Sequence, residues 1–127
     1  MLGDSVRPLF DAGLVDQVDD DHRVAPTVAL EPTPGHTPGH VAVRISSEGA
    51  EAVITGDLIH HPVQIADVAL ATSLDTDTDA ATATRRSFVA AHTDTSTIVL
   101  GTHFGTPAGG RIVTLPSGTA FVAAAPS

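Results

Sequence analysis

Two stretches of the chain have the apolar spacing of helices. Residues 4–18 predict a short helix that breaks near Gly13. Residues 80–91 predict a second helix, for which Asp79 is in a position to cap the first turn. The apolar sides of the two predicted helices consist of Leu9, Phe10 and Leu14 in the first, and Phe88 and Val89 in the second.

The remaining apolar blocks are short and separated by turn residues, which is typical of strands. Pro26 interrupts the first block, so we expect one or two strands there. The predicted strands are residues 24–30, an antiparallel hairpin of 41–45 with 52–55, residues 97–100, and a terminal hairpin of 111–115 with 119–123. The order helix, strands, helix, strands predicts a mixed α/β (α+β) fold with a largely antiparallel sheet and helices on one face.

Composition narrows the classes of partner and of chemistry. The formal charge is −9, with six arginines and no lysine, so no basic patch for nucleic acid or an anionic membrane is expected. Nothing resembles a membrane span or a secretory signal, and we expect a cytoplasmic location. The chain has no cysteine. A metal site here must therefore use histidine and carboxylate ligands.

The run from Thr33 to His40 is the most informative stretch of the sequence. It contains two Pro-Gly pairs, and a histidine follows each pair, at His36 and at His40. Proline and glycine together hold a loop in a defined irregular shape. Histidine is the commonest metal ligand in proteins. The run therefore predicts a loop that fixes an imidazole in place.

Two further polar residues follow strand-like stretches at comparable positions. Asp57 comes after Thr55-Gly56, and His103 comes after Gly101-Thr102. Residues at strand ends can meet at one edge of a sheet, so His36, Asp57 and His103 are predicted to converge. Two imidazoles and a carboxylate suit Zn²⁺, Mn²⁺ or Fe²⁺. The carboxylate could bridge two metal ions about 3.5–4 Å apart.

The pattern GHTPGH at 35–40, TGD at 55–57 and GTHF at 101–104 resembles the C-terminal half of metallo-β-lactamase-fold hydrolases. RPLFDAGLVDQV at 7–18 and GDLIHHPVQI at 56–65 are most similar to the branch with lactonases and methyl-parathion-hydrolase-like enzymes. The resemblance implies an αββα sandwich and two zinc ions, with manganese or iron as alternatives. It also implies that water activated by the metals attacks a lactone, an ester or a phosphoester.

The same resemblance assigns roles to individual residues. It makes His36, Asp57 and His103 metal ligands, with Asp57 as the bridging and catalytic carboxylate. It makes His40 a supporting neighbour. His60 and His61 are adjacent, so at most one of the two is expected to line the pocket.

The family's other ligands belong to a His-x-His-x-Asp-His motif, and this chain has none. We therefore expect residues 1–127 to be a single partial domain that lacks the N-terminal half. The isolated chain is expected to be inactive. It would expose the sheet face that packs on the other half, which allows a homodimer through that face.

Two alternatives to a hydrolase remain open, the first from the missing motif and the second from the family resemblance. One is a non-catalytic fragment or interaction module, and the other is a mononuclear iron oxidoreductase of the same fold.

Several other polar residues are predicted to be structural. Asp75, Asp77 and Asp79 lack the remaining features of a calcium loop and are expected at a solvated helix start. Surface positions are predicted for His22, His92, Arg85 and Arg86.

Overall fold

The computed structural model describes residues 2–124. Within these residues there are three α-helices: α1 (Arg7–Asp11), α2 (Val63–Ala66) and α3 (Thr78–His92). A π-helical turn (Leu2–Val6) precedes α1, and a 3₁₀ turn (Gly56–Leu58) precedes α2. The strands are β1 (Arg23–Ala25), β2 (Val28–Pro32), β3 (Val41–Ser47), β4 (Ala50–Ile54), β5 (Ile98–Leu100), β6 (Gly109–Leu115) and β7 (Gly118–Ala123).

The seven strands form one sheet in sequential order, β1 to β7. Every neighbouring pair is antiparallel except β4 and β5, which are parallel. A parallel pair needs a crossover connection, and the segment containing α2 and α3 supplies it. The predicted mixed fold with a mostly antiparallel sheet is confirmed. Pro26 separates β1 from β2, and both predicted hairpins are present.

Aliphatic side chains and two phenylalanines form the core. Three residues in the middle of the sheet are fully buried: Val53 on β4, Val99 on β5 and Ile112 on β6. Phe88 and Val89 from α3 belong to the same cluster, as predicted. The N-terminal helix differs, since none of the residues of α1 is buried. Leu9, Phe10 and Leu14, which were expected to form an apolar side, are exposed.

Four predictions about α3 and the segment before it are wrong. The helix begins earlier than expected, and Asp77 caps it by accepting a hydrogen bond from the Ala80 N–H at 2.9 Å. Asp79 lies inside the first turn instead. Arg85 was expected on the surface but is fully buried. Asp75 was expected to be solvated, and its side chain is also fully buried.

Candidate metal centre

The loop between β2 and β3 carries His36 and is closed by its own backbone. The Thr33 N–H donates to the His40 carbonyl at 2.9 Å, and the Gly35 N–H donates to the Thr37 carbonyl at 3.1 Å. Gly35 has a φ of 136°, and a Cβ there would lie 2.3 Å from the Cα of Ala81. Only glycine allows this approach. The loop is therefore seated directly on α3, which fixes where His36 points.

The register of the parallel strand pair brings Asp57 and His103 together. Ile54 at the end of β4 is paired with Leu100 at the end of β5. Asp57 and His103 each lie three positions beyond these paired residues. Parallel strands end at the same edge of a sheet, so the two side chains meet there.

The three predicted ligands meet through Asp57, which contacts the other two members of this cluster, whereas the donor atoms that all lie within 4.8 Å of one another are those of His36, Asp57 and His60. His103 Nε2 lies 2.7 Å from Asp57 Oδ1, and His36 Nε2 lies 3.4 Å from Asp57 Oδ2. Each carboxylate oxygen thus faces a different imidazole. The His36 side chain is 15% exposed, whereas those of Asp57 and His103 are 42% and 47% exposed. The cluster is enclosed on the His36 side and open to solvent on the His103 side.

The electrostatics of the cluster favour an ionised carboxylate. The hydrogen bond from His103 lowers the pKa of Asp57 below its usual value, and nearby His36 and His60 act in the same direction. Partial burial opposes this effect without reversing it. A charged carboxylate at neutral pH is the form that binds a cation.

His40 supports the cluster from behind with both of its ring nitrogens. Its Nε2 accepts a hydrogen bond from the Asp57 backbone N–H at 2.9 Å, so Nδ1 must carry the proton. That Nδ1 lies 2.7 Å from the Thr33 hydroxyl and 3.1 Å from the Thr33 carbonyl. Burial lowers the pKa of His40, which agrees with a neutral ring. This geometry suits the supporting role predicted for His40.

One member of the His60–His61 pair lines the cluster. The ring of His60 stacks on that of His103, with centroids 5.0 Å apart and planes at 15°. Its centroid is 5.2 Å from that of His36. His61 is exposed, and its Nδ1 accepts a hydrogen bond from the Val63 N–H. The two side chains thus lie in different surroundings, as their adjacency predicts.

The donor atoms fit a divalent transition metal. His36, Asp57 and His60 each offer one ligand atom, and these atoms lie within 4.8 Å of one another. The Nδ1 of His60 is buried and has no hydrogen-bond partner among residues 2–124. Imidazole nitrogens with one carboxylate are the donors that Zn²⁺, Mn²⁺ and Fe²⁺ accept.

Sequence reasoning missed three buried polar residues behind the cluster. Gln64 Oε1 accepts a hydrogen bond from the His60 N–H at 2.7 Å, and so holds the turn that carries His60. Asp75 contacts His36, and Arg85 contacts Asp75. A signal for Arg85 was present. It lies three positions before Phe88 and four before Val89, on the helix face that was already predicted to be buried.

Comparison with known proteins gives the family. The family model "Metallo-beta-lactamase superfamily" matches residues 3–112. No curated protein matches the chain by sequence.

Within residues 2–124 there is no helix with the length and apolar character needed to cross a membrane.

Solved structures share the fold at low sequence identity. AidC, described as a dizinc quorum-quenching lactonase in complex with a product, is 23% identical over 99% of this chain, with a TM-score of 0.81. AbOPH, a hydrolase in the beta lactamase superfamily, is 20% identical over 97%, with a TM-score of 0.87. A probable metal-dependent hydrolase from Staphylococcus aureus is 15% identical over 91%, with a TM-score of 0.71.

The chain spans less than half the length of these three structures, covering 47%, 43% and 42% of them. The family match nevertheless extends over most of the sequence, from the π-helical turn to β6. The chain belongs to the metallo-beta-lactamase superfamily.

Proposed function

We propose that this chain carries one part of the metal centre of a metal-dependent hydrolase, with His36, Asp57 and His103 as ligands. The main support is that these residues, which are distant in sequence, meet at one sheet edge around an ionised carboxylate. Zinc is the proposed metal, with manganese or iron as alternatives, because the donors are imidazole and carboxylate. When bound, such a cation supplies Lewis acidity that lowers the pKa of water and polarises a carbonyl or phosphoryl oxygen.

The residues of the chain prepare this site in three ways. Asp57 presents one oxygen toward His36 and the other toward His103, which suits the bridging position proposed for it. His40 accepts a hydrogen bond from the Asp57 backbone N–H and so fixes the main chain there. The position of the carboxylate is therefore set by the backbone as well as by the side-chain torsions of Asp57. His60 adds a third imidazole between His36 and His103, with its ring 5.2 Å from that of His36 and 5.0 Å from that of His103.

The proposed substrates are lactones, esters and phosphoesters. This class rests on the family and on the sequence resemblance, and AidC is a lactonase of the same fold. We also propose that the 127-residue chain alone binds metal without catalytic turnover. The side chains of Asp57 and His103 are 42% and 47% exposed, so this side of the cluster is open to water.

Metal binding tests the first part of the proposal. Zinc titration of the metal-free chain by calorimetry is expected to show saturable binding. Asp57→Asn is expected to abolish most of that binding because it removes the charge between the imidazoles. Asp79→Asn, at an exposed position in the first turn of α3, is the matched control. Equal zinc affinity in the wild-type chain and in Asp57→Asn would exclude this site.

Hydrolysis by a protein extended upstream tests the assignment as a hydrolase. The reading frame upstream of Met1 should encode a His-x-His-x-Asp-His motif, and the extended protein should open an acyl-homoserine lactone in a pH-stat assay. If no such motif is encoded there, the hydrolase proposal fails for this gene. Analysis of the bound metal in the same preparation separates a zinc hydrolase from the iron oxidoreductase alternative.

A non-catalytic interaction module is the second candidate. The observation that favours it is the group of exposed apolar side chains near the N-terminus, with Leu9 and Phe10 47% exposed and Leu14 74% exposed. Such a surface is a typical site of association. Light scattering after size-exclusion chromatography tests it directly. A concentration-independent monomer would argue against association through this surface and against the homodimer predicted through the exposed sheet face.

A further inference from the structure

A buried ion pair lies directly behind His36. The side chains of Asp75 and Arg85 are both 0% exposed, and Arg85 Nη2 lies 3.5 Å from Asp75 Oδ2. The other oxygen, Asp75 Oδ1, lies 3.2 Å from His36 Nδ1. Buried charges are costly to keep, and a hydrophobic pair at such a position is often as stable. Stability of the fold therefore gives no sufficient reason for this pair.

Backbone carbonyls fix the orientation of the guanidinium. Arg85 Nε donates to the Leu58 carbonyl at 3.1 Å, and Nη1 donates to the Val68 carbonyl at 3.1 Å. A guanidinium has donors only. With these donors already engaged, Nη2 is directed at Asp75, whose Oδ2 can only accept.

The backbone also fixes the position of the carboxylate. The Thr76 N–H donates to the His36 carbonyl, and the Asp77 N–H donates to the Gly35 carbonyl, both at 3.0 Å. These two bonds join the segment before α3 to the histidine loop. The backbone bonds of the two residues that follow Asp75 thus hold it against His36.

The donors and acceptors determine which nitrogen of His36 carries the proton. Two carboxylates face the ring of His36, and both only accept: Asp75 Oδ1 lies 3.2 Å from Nδ1, and Asp57 Oδ2 lies 3.4 Å from Nε2. Asp75 is fully buried and makes the shorter contact, whereas Asp57 is 42% exposed and is also bonded to His103, so the proton of a neutral ring belongs on Nδ1. In a neutral ring the lone pair is then on Nε2. That nitrogen is the one that faces Asp57, at 3.4 Å from Oδ2.

We propose that Asp75, backed by Arg85, is a positioning residue that holds His36 in the Nδ1–H form, with the Nε2 lone pair directed at the metal position beside Asp57. The proposal rests on the proposed function in one respect, since it takes a cation as the partner of Nε2. Hydrogen-bond partners of this kind orient ligand histidines and set their tautomer.

The variant Asp75→Asn gives a sharp test because Arg85 determines the orientation of the asparagine amide. Arg85 can only donate, so the amide oxygen must face Arg85 and the amide NH₂ must face His36 Nδ1. Nδ1 then becomes an acceptor, and the proton of a neutral ring moves to Nε2. The substitution keeps the shape of the side chain but reverses the tautomer.

The measurement is a long-range ¹H–¹⁵N correlation spectrum of the metal-free chain, labelled at histidine and recorded at about pH 8.5, where imidazoles are ordinarily neutral. The wild-type chain is expected to show His36 protonated at Nδ1, and Asp75→Asn is expected to show it protonated at Nε2. Zinc affinity in Asp75→Asn should fall by about 10–100-fold. Asp79→Asn is the control and should change neither quantity.

The outcomes separate this proposal from the proposed function. Protonation of His36 at Nε2 in the wild-type chain would overturn the proposal, and this measurement needs no variant that must fold. Unchanged zinc affinity in a folded Asp75→Asn variant would also overturn it. If the wild-type chain has the expected tautomer but binds no zinc, the metal centre fails while the assignment of the tautomer stands.

Discussion

Asp57 is the residue on which the candidate site depends most directly. Its two oxygens face His103 and His36, and its backbone N–H is bound by His40. Three imidazoles thus act on one residue, two through its carboxylate and one through its main chain. Substitutions that displace the backbone of Asp57 should therefore disturb the site as much as substitutions of its side chain.

Gly56 provides the first prediction. Its φ is +54°, and an added Cβ would lie 2.7 Å from His40 Nε2, so alanine would be strained and would also push against the ring that supports Asp57. We expect Gly56→Ala to lower the free energy of unfolding by about 1–3 kcal/mol, as measured in urea. Gly39→Ala, where an added Cβ meets no atom within 4 Å, is the control. Equal stability of the two variants would contradict the geometry given for Gly56.

His60 and His61 provide a matched pair for the second prediction. His60→Gln removes an imidazole with a ligand atom within 4.8 Å of those of His36 and Asp57, whereas His61→Gln removes an exposed imidazole. We expect zinc affinity to fall at least about tenfold in His60→Gln, because even residues that only support ligands are worth that much. His61→Gln should bind zinc like the wild-type chain. The reverse order would show that the other member of the pair lines the site.

Among single residues, the sequence indicated the cluster and its support His40, but not the supports Asp75 and Arg85. His36, Asp57 and His103 were recognisable because glycines and strand ends surround them. Asp75 and Arg85 were not recognised, since an Asp-rich segment and an Arg-Arg pair are usually solvated. Their burial depends on Val68 and Leu70 carbonyls that only the folded chain brings within reach.

Among the elements, helix α3 has the closest connection to the site. Its first turn follows the segment that is hydrogen-bonded to the histidine loop, and Ala81 contacts Gly35 directly. Fraying at the start of α3 would therefore loosen Asp75 and the His36 loop together.

The cap of α3 gives the third prediction. Asp77→Ala removes the oxygen that accepts a hydrogen bond from the Ala80 N–H, and should lower the free energy of unfolding by about 0.5–2 kcal/mol. Asp79→Ala changes only an exposed residue in the first turn and should have a smaller effect. Urea unfolding of both variants decides which aspartate is the cap. A larger loss in Asp79→Ala would support the assignment made from sequence alone.

Most helices and strands were predictable from the sequence, but the residue that caps α3 was not. Short aliphatic blocks between turn residues indicated every strand region, and Pro26 marked the break between β1 and β2. Asp77 and Asp79 are both typical cap residues, so local sequence could not choose between them. The choice depends on the Asp77 N–H bond to Gly35, which is a tertiary contact.

The whole molecule should respond to acid through its partly buried histidines. Burial is the main cause that lowers the pKa of His40, His60 and His92. In the unfolded chain these imidazoles have their ordinary pKa and are protonated as the pH falls through about 6.5. In the folded chain their pKa is lower, so they are protonated only at a lower pH. Stability from these groups is thus fully present above that value and is lost below it.

The fourth prediction follows from this sign. In the presence of a chelator, the free energy of unfolding should decrease between about pH 8 and pH 5, before carboxylates titrate. His92→Gln should flatten part of this decrease without touching the metal cluster, since His92 packs on Phe88. His22→Gln, at an exposed position, should leave it unchanged. Stability that is constant or rises over this range would contradict the assigned direction of the pKa shifts.

The crossover between β4 and β5 has a consequence for how the molecule folds. Each antiparallel pair joins strands that are connected by a short segment of chain. The parallel pairing of Val53 with Val99 instead requires the whole segment that contains α2 and α3 to be in place first. Long closures of this kind are entropically the slowest to form. Asp57 and His103 lie on opposite sides of that closure. A cobalt absorption signal that requires His103 beside Asp57 would therefore time the return of the crossover and would not register the earlier hairpins.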